Sequence, residues 1–242
     1  MDDLDAVLDR ARELVTPDDA ERSALATEVR LAKAFATPTG VYGSNLRTRG
    51  LSGYLTELLV LEYGGFRDLL EAAADWQPPV ELDPVGHGTA TFDDPLVVID
   101  PTDPERNVAA VCSATNVARL QHYARAFLTD PDPSYFETEK VPPSEVPAIT
   151  AEGLGEHVAR RATTPVAIRF TAPDLVDDDL YPQLRSSLGG VVGLLERNGF
   201  DVLRSTIAVA AEEAILLVEL EVPERPAVER HLGPPVQVRE HA

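Results

Sequence analysis

Lysine is almost missing from this chain. Of 21 basic residues only Lys33 and Lys140 are lysines, against 41 aspartates and glutamates, and the formal net charge is −20. Concentrated salt screens such repulsion over roughly 3 Å at molar ionic strength, so an excess of this size is tolerable there. The balance points to a salt-in, halophilic cytoplasm. The other reading is an acidic mesophilic protein that avoids polyanions. Cysteine occurs once, as Cys112, so an intrachain disulfide is excluded and the thiol reads as a small buried apolar group in a reducing compartment. No apolar run is long enough for a transmembrane helix, and no leader pattern follows Met1, so the expected location is cytoplasmic with no membrane partner. His122 has no second ligand spaced for it and reads as a surface or partner contact rather than a metal ligand.

What positive charge remains is gathered in three segments. Residues 28–50 carry Arg30, Lys33, Arg47 and Arg49 against Glu28 alone. Residues 104–127 carry Arg106, Arg119 and Arg125 against Glu105, and residues 156–169 carry Arg160, Arg161 and Arg169 against Glu156. A polyanion would dock on these islands, although each also fits a solvated helix face. Counterion release contributes little in high salt, so binding would lean on hydrogen bonds, shape and stacking.

The 242 residues are 44% hydrophobic, enough for one large or two ordinary domains with a core. An acidic helical lead-in over residues 1–18 precedes a helix start at Thr16-Pro17-Asp18-Asp19, and that helix runs to about Ala36, where Pro38 and Gly40 end it. Leu25, Val29 and Ala32 form its apolar stripe. Ser52 caps a second helix to about Tyr63, apolar enough to be buried nearly all round. Gly64-Gly65 breaks it, and Phe66 to Trp76 is a third. Residues 77–94 read as a loop. Ser113 caps a helix through Leu128, with Val117, Leu120, Ala124 and Phe127 inward. The proline-rich residues 129–148 make the best boundary, giving a helical domain over 19–142 and a second over 143–242. In the second, Val166 to Phe170, Val202 to Val209 and Ile215 to Val222 read as strands, with a helix from Asp179 to about Asn198. The fold class is therefore α+β, with helices on one face of an antiparallel sheet.

One run stands apart, Asp100-Pro101-Thr102-Asp103-Pro104-Glu105-Arg106-Asn107-Val108-Ala109-Ala110. It follows a buried strand, Pro95 to Ile99, and its prolines force a sharp turn. The turn places Arg106 and Asn107 at the lip of whatever the strand supports. A guanidinium there suits phosphate or the acceptor edge of a base, or it satisfies turn carbonyls.

Five runs in one order resemble the archaeal (class I) CCA-adding tRNA nucleotidyltransferases. They are Glu28-Val29-Arg30-Leu31-Ala32-Lys33-Ala34-Phe35; Val41-Tyr42-Gly43; Gly50-Leu51-Ser52-Gly53-Tyr54-Leu55-Thr56-Glu57-Leu58-Leu59; the Asp100–Ala110 run; and Pro173-Asp174-Leu175-Val176 through Leu180-Tyr181-Pro182-Gln183-Leu184. The resemblance implies a helical central domain followed by a partial α/β-sandwich tail with an RNA-recognition-like sheet. In that family a separate head, with Gly-Ser followed by paired carboxylates, holds the metals. Here Gly43-Ser44 is followed by no such pair, so the chain is expected to be a fragment without the catalytic head or the end of the tail, inactive alone, with no catalytic or metal-binding residue of its own.

By the same resemblance, Lys33 contacts the triphosphate of CTP or ATP, Tyr42 contacts the nucleotide, and Arg106 reads the base together with tRNA backbone phosphates. Mg2+ belongs to the head, supplied in cis or in trans. The tRNA acceptor stem is the implied partner, with Arg47, Arg49, Arg119, Arg160, Arg161 and Arg169 as candidate contacts, and homodimerisation is left open. Two other readings stand beside this one: a non-catalytic tRNA-binding module or split subunit, and a segment of a poly(A) polymerase or oligoadenylate synthetase relative.

Overall fold

The computed structural model describes Leu8 and residues 24–88, 91–137, 151–210 and 212–228. Apart from Leu8, which is buried, the lead-in over residues 1–18 lies outside the described residues, as do the helix start at Thr16-Pro17 and most of the proline-rich boundary. The chain divides into two units, Met1–Pro147 and Ala148–Ala242, and its class is α+β.

In the first unit, α1 (Ala24–Ala36) ends as Val41 and Tyr42 both donate their amides back to the Ala36 carbonyl at 2.9 Å. The next helix, α2 (Gly53–Tyr63), starts on Ser52, whose Oγ accepts from the Leu55 amide at 3.0 Å, and stops on Gly64 at φ 90°. It buries Leu55, Leu58, Leu59 and Val60 but leaves Tyr54 and Leu61 exposed. The expectation of a helix buried all round is thereby corrected. Positions 54, 57 and 61 recur at helical spacing and form a solvent stripe that the apolar composition conceals. Helix α3 (Phe66–Asp75) opens where Glu28 of α1 accepts from the Phe66 amide at 3.0 Å. After it, α4 (Ala114–Thr129) buries Asn116, Val117, Leu120, Ala124 and Phe127.

A chain with few aromatics concentrates them. Phe35, Phe66, Phe127 and Phe136 meet with Tyr135, which lies on a 3₁₀ turn (Pro133–Phe136). Phe35 sits 5.5 Å from the Phe66 and Phe127 rings and stacks on Tyr135 at 5.8 Å. Such edge-on and offset pairs each add about 0.5–1.5 kcal/mol beyond the area they bury.

Three short strands cover this core. The middle one, β2 (Leu96–Asp100), is buried throughout, with β1 (Val80–Leu82) parallel on one side and β3 (Asp103–Asn107) antiparallel on the other. Residues 77–94 are therefore not all loop. Val80 and Leu82 alternate around Glu81, a pattern too short to stand out from its proline-rich surroundings. The Asp-Pro turn is real, but a strand follows it, and Pro104 is tolerated because β3 lies at the sheet edge.

In the second unit, α5 (Ala151–Arg161), β4 (Thr164–Thr171), α6 (Asp177–Arg197), β5 (Val202–Ala210) and β6 (Glu213–Leu220) follow in order. The sheet runs β4-β6-β5 and is antiparallel throughout. Ala214, Leu216, Val218 and Leu220 share one face of β6 and cluster with Leu180, Leu184 and Leu188 of α6. Helices are not confined to that face. Leu154 and Val158 of α5, a helix the sequence did not announce, line a cavity of about 440 Å³ with Pro165, Thr206 and Leu217 of the opposite face.

Candidate functional site

The first turn of α2 organises the site. Gly53 opens it, and a Cβ placed there would lie 3.4 Å from the Tyr42 hydroxyl and 3.7 Å from Lys33 Nζ. Glycine at this position thus leaves room where the ammonium of α1 and the phenol of the loop meet. One turn on, Glu57 accepts from Lys33 Nζ at 2.8 Å. Both side chains of that pair reach solvent, so its contribution to stability is small.

Tyr42 is placed by backbone. The Leu51 amide donates to the Val41 carbonyl at 2.7 Å, and the Gly43 amide donates to the Leu51 carbonyl at 2.8 Å. These bonds close the 43–50 loop on itself. Gly50 permits the closure, because a Cβ there would fall 1.9 Å from the Val41 carbonyl oxygen.

Arg106 is reached from the residue after Gly53. The Tyr54 hydroxyl donates to Asp100 Oδ1 at 3.2 Å, and Asp100 Oδ2 accepts from Arg106 Nη1 at 3.1 Å. Oδ1 also accepts from the Thr102 amide and hydroxyl, each at 2.9 Å. The Asp100 side chain is 1% exposed and that of Arg106 is 61% exposed. The Thr102 amide is the main cause holding the Asp100 carboxyl below the usual carboxylate range, against the upward push of burial. Desolvation, and then the bond to Asp100, push the Tyr54 phenol up. Asp100 is therefore an anion and Tyr54 a neutral donor at neutral pH.

Asn107, expected at the lip beside Arg106, is instead buried. Its Oδ1 accepts from the Val98 and Ala109 amides, both at 2.9 Å, and its Nδ2 donates to Asp94 and to the Leu96 carbonyl. Successive strand residues point to opposite faces, so Arg106 outward sends Asn107 inward.

The other arginines fall in two places. The Thr48 and Arg49 carbonyls accept from Asn116 Nδ2 at 2.6 and 2.8 Å, and Arg119 Nη1 donates to Asn116 Oδ1 at 3.2 Å and to the Gly40 carbonyl at 3.3 Å. Asn116 thus gathers the 47–49 loop against Arg119. In the second unit, Arg160 bonds His157 at 2.8 Å, Arg161 lies 3.3 Å from Glu219, and Arg169 grips both oxygens of Glu213 at 2.9 and 2.6 Å. Sequence reading did not single out Tyr54, Glu57 or Asp100 for the site. Asp100 was marked only as the first residue of the Asp-Pro run that follows a buried strand.

The site is thus rich in donors and poor in free acceptors, since Glu57 and Asp100 are both engaged. An anion with acceptor edges complements it. Among the described residues no three His, Cys, Asp or Glu side chains come together as metal ligands. Cys112 is buried, with its thiol pushed up to about 11 by desolvation, so it is inert as a nucleophile near neutrality.

The model of the tRNA nucleotidyltransferase second domain matches residues 27–137, and that of the CCA-adding enzyme C-terminal domain matches residues 161–242. The chain is 59% identical over 231 residues to the CCA-adding enzyme of Haloarcula marismortui, covering 90% of this chain and 48% of that protein. It is 57% identical over 228 residues to that of Halorubrum lacusprofundi, with the same coverage, and 41% identical over 215 residues to that of Methanosarcina barkeri, covering 89% and 46%. The chain spans about half the length of the curated relatives it matches. The relatives at 57–59% identity come from halophilic archaea, in keeping with the lysine-poor, acidic composition. Residues 27–137 thus match a tRNA nucleotidyltransferase second domain and residues 161–242 a CCA-adding enzyme C-terminal domain, and over 90% of its length the chain is similar to CCA-adding enzymes.

Proposed function

We propose that this chain supplies the nucleotide-facing and tRNA-holding half of a cytoplasmic enzyme that adds CCA to tRNA 3′ ends from CTP and ATP. One observation carries the reading. Lys33 and Tyr42 meet at Gly53, and Arg106 is tied to the very next residue through Asp100. Lys33 leaves Glu57 to bind the triphosphate as a point charge, and Tyr42 contacts the nucleotide beside it. Arg106 reads the base. Cytosine and adenine present an unprotonated ring nitrogen on their pairing edge, whereas uracil and guanine carry N–H there. A donor-only fork pairs with the first two and faces donor to donor with the others, at a cost of about 1–3 kcal/mol.

The reaction implies Mg2+, and the residues of this site do not fit it, because its carboxylates are already engaged. Metal chemistry is assigned to a head domain acting with this chain, in cis or in trans. For tRNA, Arg47, Arg49 and Arg119 make one patch beside the site. Arg161 and Arg169 are already neutralised by Glu219 and Glu213, so they engage phosphate only by exchange. A-form RNA offers its backbone and shape more readily than its bases to such contacts.

The test adds the head region of a haloarchaeal relative to the chain in concentrated KCl, with tRNA lacking CCA and labelled nucleotides. CCA addition is the expected outcome, and extension of a poly(A) primer in its place would point to the polymerase reading. With Arg106→Ala, the preference for CTP and ATP over UTP and GTP is expected to fall at least tenfold. An equal loss with all four nucleotides would refute the base-reading role.

A further inference from the structure

We infer that Tyr54 and Asp100 are positioning residues for base selection: together they fix the direction of the Arg106 fork and its span from Lys33. The inference rests on the function proposed above and deepens it.

Arg106 sits on an edge strand with most of its side chain in water. An arginine so placed ordinarily samples many rotamers, and a mobile fork adapts to any acceptor it meets. Discrimination needs donors that stay where they are when the wrong base arrives. Asp100 supplies the anchor. Its side chain is buried, and Oδ1 is saturated by the Thr102 amide, the Thr102 hydroxyl and the Tyr54 hydroxyl. That leaves Oδ2 for the guanidinium. A carboxylate held at one oxygen by three donors cannot swing, so one edge of Arg106 is fixed and its remaining donors point away from the anchor.

Tyr54 adds a second constraint. It follows Gly53, where Lys33 Nζ and the Tyr42 hydroxyl lie. The bond from Tyr54 to Asp100 therefore ties the triphosphate end of the site, on α2, to the base end, on the β2–β3 turn. A nucleoside triphosphate bridging Lys33 and Arg106 is measured against that fixed span. Discrimination among nucleobases then belongs to the set of Arg106, Asp100 and Tyr54 rather than to Arg106 alone.

The experiment compares the full chain with its Tyr54→Phe and Asp100→Asn variants in concentrated KCl. With the head region and tRNA lacking CCA present, binding of CTP, UTP and inorganic tripolyphosphate is followed by equilibrium dialysis, and the Arg106 Nε–Hε signal by nitrogen-15 NMR. Tyr54→Phe removes one hydroxyl and keeps the ring. It is expected to lower the CTP-over-UTP preference about five- to tenfold, to leave tripolyphosphate affinity within twofold, and to broaden the Arg106 signal. Asp100→Asn is expected to lose more preference, because the ionic anchor goes. A wild-type preference that survives Tyr54→Phe overturns the positioning role alone. So does a uniform weakening that includes tripolyphosphate, since that is the mark of simple unfolding. A wild-type chain that binds all three probes without preference overturns the proposed function and this inference with it. In that case a sharp Arg106 signal that broadens in Tyr54→Phe would show the anchor to be real but idle.

Discussion

Asn107 and Arg106 are neighbours in sequence with opposite tasks. Asn107 satisfies two backbone amides and donates twice, entirely inside the protein. Replacing it with alanine strands the Val98 and Ala109 amides, at about 1–3 kcal/mol each. Asn107→Ala is therefore expected to lower unfolding stability by about 2–6 kcal/mol in a denaturant titration. The sequence made Arg106 legible, because arginine after a double Asp-Pro bend is unusual and the five runs supply a role. It could not separate Asn107 from it. Only the register of β3 decides which of two adjacent polar residues turns inward, and no residue pattern over five positions containing a proline announces a strand. Lys33 and Tyr42 were legible through the same runs. Glu57 and Tyr54 were not, because their partners Lys33 and Asp100 lie 24 and 46 residues away, and Asp100 was not, because its anchoring of Arg106 depends on how the turn between them folds.

The helices of the first unit were readable, whereas α5 and the strands β1 and β3 were not. Caps at Ser52 and Ser113 and stops at Gly40 and Gly64 are local chemistry, and each falls where the sequence puts it. Strand β1 exists only because β2 lies beside it. The 43–50 loop makes a sharper test of an element. A methyl group at Gly50 collides with the backbone of Val41, which cannot step aside as a flexible side chain can. Gly50→Ala is expected to cost about 3 kcal/mol and to displace Tyr42, read as loss of nucleotide binding alongside a lowered melting temperature. In the second unit Glu219 joins three elements. It accepts from Thr163 beside β4, pairs with Arg204 of β5 and Arg161 of α5, and sits on β6 itself. The Thr163 hydroxyl is the main cause holding its carboxyl below the usual carboxylate range, followed by the bond from Arg204. A depressed carboxyl stabilises the fold above its unfolded pKa, and that contribution is lost as pH falls through the folded pKa. Glu219→Gln is expected to flatten stability below about pH 4.5 relative to the parent chain, monitored by circular dichroism.

At the scale of the molecule, charge sets the conditions. A net charge of −20 repels itself at low ionic strength. Lowering KCl from about 2 M to about 0.1 M lengthens screening from roughly 2 Å to roughly 10 Å, and the urea midpoint is expected to fall with it. A midpoint that ignores salt would remove the halophilic reading of the composition. Free thiol gives a companion measurement: Cys112 is expected to stay silent to aromatic disulfide reagents at pH 8 in the folded chain and to react once salt is withdrawn and the core opens.

The aromatic cluster of the first unit also fixes where this polypeptide tolerates a cut. Tyr135 and Phe136 lie near the end of its described chain yet pack onto Phe35, which is contributed by its first described helix. A truncation at residue 130 removes both rings from the centre of the core, whereas one placed just after Phe136 keeps them. The far limit of the first unit's core is thus set by a stacked tyrosine rather than by the last long helix.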